Sequence, residues 1–115
     1  MGSENWTMAV ISYDKLVRDK IPDIIEASGK KCVTSVLSEE EYLKKIDEKL
    51  AEELEEYYKD RNLEELADLV EVIYAAAKAR GYTLEELELC RKKKADERGA
   101  FEKRILLESV SDNGN

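Results

Sequence analysis

The chain has 115 residues, 43% of them apolar and 40% charged, with one proline, five glycines and no histidine. A single domain of this size buries roughly 65% of its unfolded surface, and so charged a chain with so few breakers argues against collagen-like, low-complexity and all-β classes. The 27 acidic and 19 basic residues leave a formal charge of −8, which disfavours nucleic acid as a partner, while the missing histidine excludes His-based triads, HExxH zinc sites and ExxH di-iron motifs.

In chain order, residues 1–12, with Trp6, read as a tail before one domain over 13–110. No apolar run approaches the ~18 residues of a membrane span, and the start lacks the order of a signal peptide. A cytoplasmic protein with no membrane partner is therefore expected. Pro22 is placed to open a short helix through Ile24, Ile25 and Ala27, which Gly29 ends. The β-branched run 32–37 predicts a strand, with 103–108 as its partner in a minor two-stranded ribbon. Ser38 and Glu41 form a capping box that opens a long helix to about Lys59. Asp60, Arg61 and Asn62 make a tight turn, and Asn62 caps a second helix that runs to Arg80 and stops at Gly81. Thr83 and Glu86 cap a third, ending near Gly99. Residues 111–115 read as a disordered tail. The fold class predicted is all-α, a helical bundle built on a long antiparallel hairpin. Cys32 and Cys90 form no CxxC pair and read as ordinary, half-buried thiols in a reducing compartment.

The two central helices are not uniformly acidic. At roughly 100° per residue, the helix over 38–59 has an apolar stripe of Leu43, Ile46, Leu50, Leu54 and Tyr57. Glu53 borders the stripe, Glu56 lies next outward and Glu52 further out, while Glu48 and Glu55 point to solvent. The helix over 63–80 is apolar over most of its circumference; its polar stripe is Glu64, Glu71 and Lys78, and Glu65 and Asp68 lie off that stripe. Folding the pair about residues 60–61 sets Glu56 opposite Glu65 and Glu53 opposite Asp68. Four carboxylates this close raise one another's pKa unless a cation compensates. Hard oxygen ligands without His or Cys suit Mg²⁺ or Mn²⁺. Glu65 has a second reading, since a glutamate three residues after Asn62 stabilises a helix start by itself.

Glu52-Glu53-Leu54-Glu55-Glu56, followed by Glu65-Leu66-Ala67-Asp68, resembles the EExxE…ExxD signature of the all-α nucleoside triphosphate pyrophosphatases, the MazG and phosphoribosyl-ATP pyrophosphohydrolase superfamily. Tyr13-Asp-Lys-Leu-Val-Arg-Asp-Lys-Ile-Pro22 and Glu97-Arg-Gly-Ala-Phe-Glu-Lys-Arg-Ile105 resemble its phosphoribosyl-ATP pyrophosphohydrolase-like branch. The resemblance implies Mg²⁺-dependent cleavage of a nucleoside triphosphate, ordinary or modified, between its α- and β-phosphates. It implies that Glu53, Glu56, Glu65 and Asp68 hold the metal, and that Glu52 is a further ligand or the water-activating base; the base is Glu52 or Glu53. Two departures stand out. Only eight residues separate Glu56 from Glu65, too few for a MazG-type substrate loop, and Ala100 stands where relatives often carry a second glycine.

Carboxylates repel a triphosphate, so basic groups must grip its remaining oxygens. Lys15, Arg18 and Lys20 offer one set, and Lys94 and Arg98 a second, although lysines late in a helix also complement its dipole. Phe101 either stacks on a base or plugs the core. So much apolar surface on the helix over 63–80 predicts a homodimer or homotetramer. The rival readings are phosphoribosyl-ATP pyrophosphohydrolase of histidine synthesis and a non-catalytic helical dimerisation or regulatory module. Residues 38–71 hold 14 acidic and 5 basic residues, and residues 90–104 hold 7 basic and 3 acidic. The negative charge is therefore concentrated on the hairpin.

Overall fold

The computed structural model describes residues 10–112, which form four helices and, among those residues, no strand. These are α1 (Ile21–Ala27), α2 (Glu39–Asp60), α3 (Leu63–Ala79) and α4 (Leu84–Arg98). The chain divides into two compact units, one ending at Gly81 and the other beginning at Tyr82. None of the helices is long and apolar enough to cross a membrane.

The helix boundaries follow from local chemistry. Ser38 accepts a hydrogen bond from the Glu41 amide at 3.2 Å, and the Ser38 amide donates back to the Glu41 carboxylate at 3.3 Å. This reciprocal box satisfies two groups that the first turn of α2 leaves without partners. Asn62 accepts from the Glu65 amide at 2.9 Å to start α3, and Thr83 with Glu86 repeats the box at α4. Gly81, at φ 91°, lets the chain leave α3 in the left-handed region that a side chain disfavours.

In the first unit, α2 and α3 pack against each other. With only Arg61 and Asn62 between them the pair runs antiparallel, and Arg80 at the end of α3 meets Asp47 near the start of α2 at 3.0 Å. Ile46 and Val72 form the buried centre, 4% and 8% exposed. Leu43, Leu50 and Tyr57 flank it half-buried, while Leu54, Leu66, Val70, Ile73 and Tyr74 remain exposed. Glu48, Glu55, Glu64, Glu71 and Lys78 all face solvent, as the helical spacing predicts. In the second unit, Leu84, Leu87 and Ala95 of α4 are half-buried and the charged residues ring the helix.

Three expectations are corrected. The ribbon is absent: 32–37 and 103–108 carry no regular structure, and Val33 and Val36 are fully exposed. A β-branched run is only a propensity, and an isolated pair of short strands is marginal without a third strand or a covering helix. The second correction concerns the turn: Asp60 is the last residue of α2, because Arg61 alone takes the left-handed conformation at φ 50° and donates its amide to the Tyr57 carbonyl at 2.7 Å. Third, Cys32 is half-buried as expected but Cys90 is exposed. Of the expected tails, 1–9, including Trp6, and 113–115 lie outside the described residues.

Candidate functional site

The carboxylates of the hairpin meet near its turn. Glu56, Asp60 and Glu65 each offer an oxygen, and these oxygens lie within 4.8 Å of one another. Glu65 Oε2 is buried without a hydrogen-bond partner among the described residues. Burial pushes the Glu65 carboxyl above its usual range, and Asp68, Asp60, Glu56 and Glu53 push it further. All four metal ligands implied by the resemblance therefore lie within electrostatic reach of one point. The helix ends add an asymmetry. Glu65 sits in the first turn of α3, where the dipole favours a carboxylate, whereas Glu56 and Asp60 sit at the C-terminal end of α2, where it favours a cation.

The neighbouring carboxylates are differently placed. Glu53 is the least exposed acidic side chain of this part of α2, at 13%, and has Lys49 at 3.6 Å. Glu52 accepts from Lys15 at 2.6 Å and from Lys49 at 2.8 Å. These two ammonium groups, Lys15 first, hold its carboxyl below the ordinary range, and Glu52 in turn raises the pKa of Lys15. Asp68 accepts from Arg18 at 2.6 Å. A small cavity of about 190 Å³ lies beside Glu52, lined also by Lys15, Leu16, Lys45, Glu48 and Lys49.

Of the basic residues read as substrate-binding, Lys15 and Arg18 thus reach the acidic face of the hairpin. Lys20 precedes α1 and is exposed. Lys94, Arg98 and Phe101 belong to the second unit, where all three are exposed; Phe101, at 95%, plugs no core there. Two further residues join the site. Asp60, which the spacing assigns to the turn, stands four residues after Glu56 on the same helical face. Lys49, three and four residues before Glu52 and Glu53, bridges that pair.

The donor set fits a hard divalent cation: several carboxylates, no softer ligand, and one buried oxygen with no partner. The raised Glu65 pKa has a testable sign. The folded state holds this proton more tightly than the unfolded chain, so Glu65 lowers stability at neutral pH, and that cost fades as pH falls through the raised value towards ~4.3. Glu65→Gln keeps the backbone cap and removes the charge. In chelator it should melt at a higher temperature than wild type at pH 7, with the gap closing on acidification towards pH ~4.3. Equal melting temperatures across that range would refute the repulsion.

The fold and site together define an all-α protein whose helical hairpin gathers carboxylates at its turn. No family model matches the chain, and no solved structure matches it. A stretch of 42 residues is 50% identical to an uncharacterized protein of Mycolicibacterium smegmatis, covering 36% of this chain. The match spans 43% of that relative, less than half its length.

Proposed function

We propose that the protein is an Mg²⁺-dependent nucleoside triphosphate pyrophosphohydrolase, with Mn²⁺ as a substitute ion. One observation carries the reading: Glu56, Asp60 and Glu65 bring oxygens together at the turn with Glu53 and Asp68 as charged neighbours, and two cations from a distant segment pair with carboxylates of the same hairpin. The resemblance of Glu52–Glu56, Glu65–Asp68 and Lys15–Pro22 to the all-α NTP pyrophosphatases supports it from the sequence side.

Glu53, Glu56, Glu65 and Asp68 would hold the ion, with Asp60 beside them and Glu52 as a further ligand or the water-activating base. When bound, the ion would neutralise phosphate charge and polarise the anhydride. Lys15 and Arg18, which reach the acidic face of the hairpin, would serve the outer phosphate oxygens. In hydrolysis, a water oxygen bonds to one of the two phosphorus atoms, and the bond from that phosphorus to the bridging oxygen breaks. Pyrophosphate and the monophosphate leave, and one water proton passes to Glu52 or Glu53. Lys15 and Lys49 hold the Glu52 carboxyl below the ordinary range, which weakens it as a base.

The exposed Leu54, Leu66, Val70, Ile73 and Tyr74 of the hairpin support a homodimer or homotetramer in which a second copy covers this surface. The test of function is a panel of ordinary and modified nucleoside triphosphates with Mg²⁺, scored for pyrophosphate and monophosphate in equal amounts. Turnover of at least one is expected. A folded protein that releases pyrophosphate from none of them would overturn the assignment.

A further inference from the structure

Lys15 and Arg18 approach the hairpin from residues 10–20, which form no helix or strand. Each holds a carboxylate that the proposed site uses. Lys15 Nζ lies 2.6 Å from Glu52 Oε2, and Arg18 Nη2 lies 2.6 Å from Asp68 Oδ1. Both pairs bridge the sequence over 37 and 50 residues, so they tie the segment to both helices of the hairpin. Little else does: Leu16 is half-buried, and Lys45 of α2 donates to the Asp14 carbonyl at 3.2 Å. The α1 helix that follows packs on neither α2 nor α3.

We infer that residues 13–20 are a displaceable strap whose Lys15 and Arg18 compete with a divalent cation for Glu52 and Asp68. The inference rests on the function proposed above. A lysine or arginine and a divalent ion drawn to the same carboxylates repel each other, and the ion carries twice the charge. The two side chains are half exposed, so solvent takes them up readily when their partners are engaged, and exposed pairs of this kind are individually weak. Lys49 differs in being fixed on α2 beside Glu52 and Glu53; it turns aside without moving a segment. Binding of the ion therefore loosens the strap and leaves two cations available to a polyphosphate.

Two measurements on the full chain test this. The first is tryptic cleavage of the wild-type chain after Lys15 and Arg18, whose side chains are held in the ion pairs, with and without Mg²⁺ at equal ionic strength. Cleavage should accelerate in Mg²⁺. The second is Mn²⁺ affinity of Lys15→Gln/Arg18→Gln, compared with wild type and with Lys78→Gln/Arg80→Gln, which removes the same charge elsewhere on the hairpin. The strap variant should bind Mn²⁺ on the order of tenfold more tightly than wild type, and the control within about twofold. Equal affinity in the strap variant and the control overturns the inference, as does unchanged cleavage after Lys15 and Arg18 when the ion is bound. A wild-type protein that binds no Mn²⁺ at all instead overturns the proposed function, and the strap with it.

Discussion

Glu53→Gln and Asp68→Asn are each expected to lower pyrophosphate release by at least roughly 100-fold, since a direct ligand should cost no less than the ~10–100-fold lost with groups that merely orient one. They should also abolish the rise in melting temperature that Mg²⁺ gives wild type. Binding to the native state stabilises by mass action, about 2.7 kcal/mol at a free concentration 100 times Kd, so the loss is measurable without any substrate. Both changes keep the shape of the side chain and remove one anionic oxygen. Glu53 is the more demanding position, because it is the most shielded of the three carboxylates at 52, 53 and 56 and lies against the apolar stripe. Asp68→Asn also weakens the partner of Arg18, so its metal-independent stability has to be measured alongside. Glu55→Gln, on the solvent side of the same helix, serves as the control and leaves both readouts unchanged. If the acidic face only solubilises a dimerisation module, Mg²⁺ shifts no melting temperature and all three variants behave alike.

The parts of the fold that were legible in the sequence are those decided within four residues. Ser38 with Glu41, Asn62 before α3, Thr83 with Glu86, and Gly81 each satisfy or release backbone groups locally, and each stands where the spacing predicts. The inward and outward glutamates of α2 were legible for the same reason, since helical periodicity alone separates Glu53 from Glu55. What was hidden depends on single conformations or on distant partners. Whether Asp60 is helical turns on one left-handed residue, Arg61, and that decides whether a further carboxylate joins Glu56 and Glu65. Residues 32–37 have strand propensity, but a strand also needs a partner, and propensity does not supply one. The pairing of Lys15 with Glu52 and Arg18 with Asp68 crosses most of the first unit. Charge alone could equally have joined those cations to other carboxylates of so acidic a hairpin.

The largest stability effect is expected at Ile46, where Ala should cost about 2–4 kcal/mol and Val about 0.5–1.5 kcal/mol. The reason is how few residues form the centre. Ile46 and Val72 are the buried apolar side chains among the described residues, and the turn at Arg61 and Asn62 sets Ile46 at about the height of the alanines at 75–77. A residue as small as alanine there has little with which to refill the space left by a shortened neighbour, so the cavity persists and its cost adds to the lost transfer energy. Against a typical folding stability of about 5–15 kcal/mol, the Ala variant loses a large share while the Val variant remains close to wild type. Urea unfolding followed by helical circular dichroism measures both, and similar midpoints for the two variants would remove Ile46 from the centre of the core. Repeating the series across protein concentrations separates the hairpin from its assembly. If a second copy covers Leu66, Val70 and Ile73, the wild-type midpoint rises with concentration by mass action. The Ile46→Ala penalty then persists at every concentration, because that cavity lies within one hairpin. Leu66→Ser, on the exposed surface, should instead flatten the concentration dependence and leave the dilute midpoint nearly unmoved.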